Sequence, residues 1–410
     1  MERHMEGLDP NRSLFKRKDI EGFEAHKTRL DDALRSGDLE PAYKIFQVFR
    51  KRVEERTAHA LKLLKAPFDF TVNEQYEFDR AKAPWARDKA ALDELWRKRV
   101  KNDALSLRLA DKKDDEIRET LRKRYEGLDR RTRQFTAEDV FQSFVNAYTL
   151  SIEPHTAYMS ARTSENFDIS MRLSLEGIGA VLRAESEHTL VQKTVPGGPA
   201  ALSGQVHAGD KIVGVAQGER GEMQDVVGWR LQEVVDLIRG PKGSIVRLQV
   251  IPKGTEGPVR EIRLVRNEIK LEDQAAKKSI VEDAEGLRIG VIRIPAFYRD
   301  FRGQAEGSEE FRSTTRDVKR LLTELKSDGV DGVVIDLRHN GGGSLTEATE
   351  LTGLFIDEGP VVQIKDSSGR VEVEKDAVPG LVYGGPLAVL VDRDSASASE
   401  IFAGAIQDYR

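Results

Sequence analysis

The sequence predicts an α+β chain of three successive domains, on three observations. From residue 1 to about 165, apolar residues recur at helical spacing among Lys, Arg and Glu. From about 170 to 255, short alternating runs are separated by glycine turns, a β-rich texture. From 256 onward, apolar strands alternate with amphipathic helices and run into glycine-rich loops, the pattern of an α/β layer. Domains are therefore expected at 1–165, 170–255 and 256–410.

In the first domain, Tyr43 to Arg50, Ala91 to Val100 and Glu116 to Tyr125 each carry an apolar stripe of helical period. Pro67 and Pro84 break the pattern, because proline cannot continue a helix. Thr136, with Asp139 three residues on, reads as a variant capping box opening the run Val140, Phe141, Phe144, Val145. The basic run Arg130 to Arg133 has no interleaved aromatics and reads as a solvated face rather than a polyanion site.

In the second domain, Gly177-Ile178-Gly179-Ala180 forms a glycine-flanked loop leading into a strand. Thr189 to Gln192 and Ala208 to Val213 follow, then a helix over Leu231 to Ile238 and an alternating strand over Ile245 to Ile251. In the third, Leu287 to Ile294 is a strand, and Val318, Leu321, Leu322 and Leu325 fall at i, i+3, i+4 and i+7 of a helix. Val330 to Leu337 is a strand that ends in Gly341-Gly342-Gly343. Leu387 to Val391 reads as a buried strand, followed by Ser395, Ser397 and Ser399 and a helix in which Ile401, Ala405 and Tyr409 share a face.

Composition narrows the function classes. With 39% apolar and 33% charged residues the chain is globular and heavily charged at its surface, and its net charge of −5 gives no reason to expect nucleic acid as a partner. Zero cysteines exclude disulfides and thiol nucleophiles. No apolar run approaches the roughly 18 residues of a membrane span. No HExxH is present among the seven histidines, so the residues do not suggest a zinc peptidase.

The chemistry concentrates near Arg410. Strand, tight turn and helix place a serine hydroxyl at a helix N-terminus, where backbone N–H groups favour developing negative charge. Those serines read either as caps or as a nucleophile with an adjacent oxyanion amide. His339 with Asp336 invites a Ser–His–Asp triad, but its order and spacing match no known hydrolase.

Asp336-Leu-Arg-His-Asn-Gly-Gly-Gly343 and Ser395-Ala-Ser-Ala-Ser-Glu-Ile-Phe-Ala-Gly-Ala405, with Leu175 to Leu182 and Gly228 to Leu231, resemble the C-terminal processing peptidases. These are serine peptidases with a Ser–Lys dyad, and the likeness, which extends over essentially the whole chain, is greatest to the tail-specific branch of bacterial periplasms. The resemblance implies a PDZ-like second domain and a crotonase/Clp-protease-like α/β peptidase core. It implies Ser397 as nucleophile, with Ala398 and the Gly342/Gly343 segment supplying the oxyanion hole and Glu400 and Asp408 as acidic supports. It also implies a carboxylate-capturing loop at Leu175, Gly177, Ile178, Gly179 and Ala180, faced by Val234 and Leu237. The expected substrates are proteins with apolar C-terminal tails, with an adaptor protein left open, no nucleic acid, and no metal or organic cofactor.

The family's general base is a lysine in a segment after the serine helix, and no lysine occurs between Ser397 and Arg410. The expectation is therefore a fragment missing both ends, inactive alone, from a periplasmic and inner-membrane-associated enzyme whose export signal is not in this stretch. A non-catalytic PDZ binder is the rival expectation, and thioester chemistry on a glycine-rich loop a third.

Overall fold

A computed structural model describes residues 1–254 and 259–410, in two compact units, 1–161 and 162–410. The boundary expected at 255/256 lies outside the described residues.

The first unit holds helices α1 (Glu2–Leu8), α2 (Arg17–Glu24), α3 (Leu30–Ser36), α4 (Glu40–Leu63), α5 (Lys89–Leu109), α6 (Asp114–Arg133) and α7 (Ala137–Ile152). Ile45, Phe49, Val53 and Ala60 of α4 bury one stripe against Trp96 and Val100 of α5 and Leu121 and Tyr125 of α6 in a single apolar cluster. Trp96 is fully buried because its indole N–H finds a carbonyl, that of Ser13, at 2.7 Å. Thr136 opens α7 as a capping box: its N–H donates to Asp139 at 2.8 Å, and its hydroxyl accepts the Asp139 N–H at 3.2 Å.

The second unit begins with α8 (Ala161–Arg172), then β1 (Ser174–Gly177), β2 (Ala180–Glu185), β3 (His188–Thr194), α9 (Pro199–Ser203), β4 (Lys211–Gln217), β5 (Gln224–Asp225), α10 (Leu231–Ile238), β6 (Ile245–Ile251), β7 (Arg260–Val265) and β8 (Asn267–Lys270). Strands run in the order β2-β3-β4-β6-β7, antiparallel throughout, with β5 on β4. The inward residues Ile212, Val246, Leu248 and Val250 pack on Val234 and Ile238 of α10. β1 pairs with β8, so the chain enters and leaves this sheet side by side.

Next come β9 (Lys277–Glu282), β10 (Arg288–Arg293), α11 (Phe301–Ala305), α12 (Thr314–Ser327), β11 (Gly332–Asp336), α13 (Leu345–Thr352), β12 (Gly359–Lys365), β13 (Val371–Asp376), β14 (Leu387–Leu390) and α14 (Ala398–Tyr409). The sheet order is β14-β11-β10-β9; β10, β11 and β14 are parallel and β9 is antiparallel. β12 and β13 form a separate hairpin. Val318, Leu321, Leu322 and Leu325 of α12 join Ile292, Val333, Ile335 and Phe402 in one core.

Two expectations need correction here. β14 is an edge strand among the described residues, so Ala388 and Leu390 are exposed rather than buried. In α14 the buried face is Ala398, Phe402, Ala405 and Ile406, whereas Tyr409 is exposed and reaches the Pro360 carbonyl at 2.9 Å.

Candidate active site and peptide groove

The loops that follow the carboxyl ends of β11 and β14 meet where an α/β layer normally places its ligand site. After β14, the Asp392 N–H donates to the Ser395 hydroxyl at 2.9 Å, and that hydroxyl donates to the Leu337 carbonyl at 2.8 Å. Ser395 thus ties the turn to the end of β11 and is not the helix cap. Ser399 is fully buried, its hydroxyl donating to the Asn340 carbonyl at 2.9 Å. Ser397 occupies the residue before α14 at φ +56°. A non-glycine residue held there costs about 1–3 kcal/mol, which surrounding contacts must offset. One such contact is the Ser397 N–H donating to the Glu400 carboxylate at 2.6 Å.

Asn340 organises the opposite side. It is completely buried, donates its amide to the Ile294 carbonyl at 2.8 Å and accepts the Gly342 N–H at 2.9 Å. Its own carbonyl accepts the Ala396 N–H at 3.1 Å as well as the Ser399 hydroxyl. Gly342, at φ +106°, comes so close to the serine turn that a β-carbon there would lie 2.8 Å from Ser397 Cβ and 3.1 Å from the Ala398 nitrogen. Gly343, at φ +144°, presses on Phe297, whose carbonyl oxygen would stand 2.3 Å from a β-carbon. The Phe297 N–H donates to the Gly342 carbonyl at 2.9 Å, and the Phe297 carbonyl accepts the Ser344 N–H at 2.8 Å.

The N–H groups of Ala398 and Gly343 consequently donate to nothing among the described residues. The Gly342 N–H, named with Gly343 as an oxyanion donor, is instead engaged by Asn340. Asp408 also departs from expectation. It is exposed, eleven residues along α14 from Ser397, about 16 Å at the helical rise.

A triad is not assembled. His339 is exposed, with Nδ1 at 2.9 Å from Asp394 and 3.1 Å from Asp392. Asp336 pairs with Arg338 at 2.8 Å, and that guanidinium holds its carboxyl below the usual range. His339, Asp392 and Asp394 bring three ligating atoms within 4.8 Å of one another, His339 and Asp394 exposed and Asp392 half-buried. Among the described residues neither a lysine nor a histidine hydrogen-bonds the Ser397 hydroxyl.

Support for the glycine loop continues into α13. Glu347, wholly buried, accepts from Arg299 at 2.7 Å, the Ser313 hydroxyl at 3.0 Å, and the Thr315 N–H and hydroxyl at 2.7 Å each. Sequence reasoning singled out neither Asn340 nor Glu347. Glu347 carried little readable signal, since α13 buries Thr349 and Thr352 as well as Ala348 and Leu351 and so shows no clean apolar face.

A cavity of about 420 Å³ opens beside β2. Leu175, Gly177, Ile178, Gly179 and Ala180 line it, the five loop residues expected to do so. The helical wall is different: Leu231, Val235 and Ile238 of α10 line the cavity, and Val234 and Leu237 do not. Val234 is fully buried in the sheet core, and Leu237, partly buried, packs against the same core, its carbonyl accepting from Gln217 at 2.7 Å and Arg266 at 2.9 Å. Successive helical residues are turned by about 100°, so a reading off by one position exchanges wall for core. Asn166, Ile169 and Ser170 of α8, with Ile269, Leu271 and Gln274 beyond β7, also line it, as do Gln232 and Arg239. β2 is an edge of its sheet and offers free backbone groups along the groove.

An edge strand, a glycine loop and a facing helix define a peptide-groove domain, joined here to an α/β core that holds a strained serine under a glycine loop. Three family models match the chain in order: the tail specific protease N-terminal domain over 1–162, the PDZ domain over 167–251, and peptidase family S41 over 288–410. The tail-specific protease of Haemophilus influenzae is 44% identical over 411 residues, covering all of this chain and 57% of its own length. The carboxy-terminal-processing protease of Bartonella bacilliformis is 31% identical over 284 residues, 68% of this chain and 60% of its own. A solved PDZ domain of the carboxy-terminal protease from Vibrio cholerae, in complex with peptide, is 52% identical over 24% of this chain and all of its own, with a TM-score of 0.24. The chain belongs to the C-terminal processing peptidases of family S41. It spans 57% and 60% of the lengths of the two curated relatives described.

Proposed function

We propose that this chain carries the tail-recognition groove and the nucleophile of a serine endopeptidase of the tail-specific type. The observation that supports this best is Ser397 at φ +56° on the head of α14, beside the unpaired Ala398 amide and under the Gly342–Gly343 backbone. In this reading Ser397 Oγ attacks a substrate carbonyl, whose oxygen takes its charge between the N–H groups of Ala398 and Gly343. One such donor is worth about 3 kcal/mol in the transition state. Glu400 positions the serine through its main-chain N–H and does not touch the substrate. The serine proton passes to a neutral lysine contributed by chain outside these 410 residues, the base the family uses.

The substrates in this reading are proteins with apolar C-terminal tails, which add as a strand along β2. Ile178, Val235, Ile238 and Ile269 give the groove its apolar character. An adaptor that delivers substrates is compatible with an open groove. The working domains are 1–165, 170–255 and 256–410, and the working compartment is the periplasm, at the inner membrane. No helix among the described residues is long and apolar enough to cross a membrane.

The test is digestion of an unfolded reporter with a short apolar tail by three proteins: the 410-residue chain, its Ser397→Ala variant, and a version extended through the family's lysine segment. Cleavage by the extended protein that disappears with Ser397→Ala supports the dyad. Cleavage that survives Ser397→Ala defeats the nucleophile assignment.

A further inference from the structure

We infer that Arg266, at the junction of β7 and β8, is a positioning residue for the peptide groove: it holds the end of α10 at a fixed distance from the glycine loop and so sets the size of side chain the groove accepts. The inference rests on the tail-recognition reading and deepens it by naming what selects the last side chain of a tail.

Arg266 is 3% exposed, and all five of its side-chain N–H groups donate to neutral oxygens. Nε reaches the Ile238 carbonyl at 2.8 Å and Nη2 the Leu237 carbonyl at 2.9 Å, two of the carbonyls that the end of α10 leaves without helical partners. Nη2 also donates to the Gln217 side-chain oxygen at 2.6 Å, and Nη1 to the Ser244 hydroxyl at 3.0 Å and the Ile245 carbonyl at 3.2 Å. Burial pushes the guanidinium pKa down, and the negative end of the helix dipole is the compensation that the fold supplies. The turn after α10 is shaped around this group. Gly240 stands at φ +152°, and a β-carbon on it would lie 3.1 Å from both Cζ and Nε of Arg266.

The same residue is tied to the opposite wall. Its main-chain N–H donates to the Ser244 carbonyl at 2.8 Å and its carbonyl accepts the Gly243 N–H at 2.8 Å, so the guanidinium hangs from the β6–β7 ladder. Asn267, next in the chain, opens β8 and pairs with Gly177, and Ile269 pairs with Leu175. From there β1 runs into the glycine loop, and Leu175, Gly177, Ile178 and Ile269 all line the groove. Arg266 therefore stands between the strand pair that carries the loop and the helix end that carries Val235 and Ile238. Without its fork the carbonyls of Leu237 and Ile238 must find water, and the helix end moves with them. A wall at fixed distance discriminates between side chains that differ by a ring, and a wall that yields does not. Lysine keeps the charge but lacks the planar five-donor fork, so it does not restore the wall.

The experiment measures anisotropy of two fluorescein-labelled hexapeptides, Gly-Ser-Gly-Leu-Val-Ala and Gly-Ser-Gly-Leu-Val-Phe, which differ only in the last side chain. It uses the 410-residue chain with Ser397→Ala, which prevents cleavage. The otherwise unsubstituted groove should separate the two affinities by about tenfold or more, the discrimination that a shaped apolar pocket supplies. Arg266→Lys and Arg266→Met should each bring that ratio to within about threefold of one. Gln217→Ala removes one acceptor from Arg266 and one donor from the Leu237 carbonyl, and should move the ratio the same way by a smaller step. A substitution that only lowers stability weakens both peptides equally and keeps their ratio. If the Arg266 variants fold, as far-UV circular dichroism reads it, and keep the ratio, the inference is overturned while tail recognition stands. If neither folds, an unchanged ratio in Gln217→Ala overturns it instead. A ratio within about twofold of one before any groove substitution also overturns it, because a fixed wall must tell methyl from benzyl. Binding of neither peptide overturns the tail-recognition reading together with the inference.

Discussion

The serine site and the peptide groove are built in opposite ways. The serine site is made of backbone: two glycines at φ values side chains rarely adopt, a serine forced to φ +56°, and unpaired amides at Ala398 and Gly343. The groove is made of side chains drawn from α8, the glycine loop, α10 and the segment after β7, and its one charge among the described residues is Arg239. A site of backbone is specified by short runs, here Asn340–Gly343 and Ser395–Glu400, and tolerates almost no substitution. A site of side-chain faces is specified by helix phase and by segments roughly a hundred residues apart, and it can be tuned in steps.

This contrast orders the expected effects of substitution, and the largest lies at the proposed nucleophile. In the extended protein, Ser397→Ala should reduce reporter cleavage at least about 10³-fold, because the remaining amides stabilise charge but form no bond. Peptide affinity in the groove should not change. A parallel loss of peptide binding would mean that the two sites are not separable in the way described.

Glu347→Ala tests whether the glycine loop depends on what lies beneath it. It removes the acceptor of four hydrogen bonds and leaves the nearly buried Arg299 with Glu350, at 2.9 Å, as its one carboxylate among the described residues, beside the neutral Gln304. Breaking a buried pair from one side costs about 3–5 kcal/mol, read as lowered thermal and denaturant midpoints. A change under about 1 kcal/mol would show that the network adds little to the loop. Gly343→Ala should come next. A methyl 2.3 Å from the Phe297 carbonyl oxygen must push the loop away from Phe297 and move the Gly343 amide with it. Losing one oxyanion donor lowers kcat by about 10²-fold or more. Full activity in this variant would place the second donor elsewhere.

The same contrast explains what the sequence made legible. The strand-loop-strand-helix order around Gly342 and Ser397 was readable because glycines and small residues at fixed spacing report backbone geometry directly. The choice between Gly342 and Gly343 was not readable, because it depends on Asn340 folding back to accept the Gly342 N–H at 2.9 Å. α10 was found with its correct limits, but its phase was misjudged. Leu231, Val234, Val235, Leu237 and Ile238 make five of its eight residues apolar, so one face looks toward the sheet and another toward the groove. No pattern within eight residues distinguishes them. Nor does any local signal announce Asn166 or Ile269, which reach the groove only through the paired course of β1 and β8.

The smallest effect sharpens the comparison at that ambiguous helix. Val234→Ala removes two methyl groups from a fully buried position in the sheet core, and truncation with a residual cavity should cost about 2 kcal/mol of stability. Peptide affinity, measured well below the unfolding transition, should hold within about twofold, since Val234 does not line the groove. Val235→Ala should do the reverse. Its side chain is half-buried on the groove wall, so stability should change by less than about 1 kcal/mol, while a bound apolar side chain loses a contact of about 1 kcal/mol, a several-fold weakening. The pair is informative because the substitutions are chemically identical and one residue apart. Equal effects on stability and binding would mean that α10 presents no distinct groove face. An exchange of the two effects would restore the phase that the family resemblance implied, with Val234 in the groove and Val235 in the core.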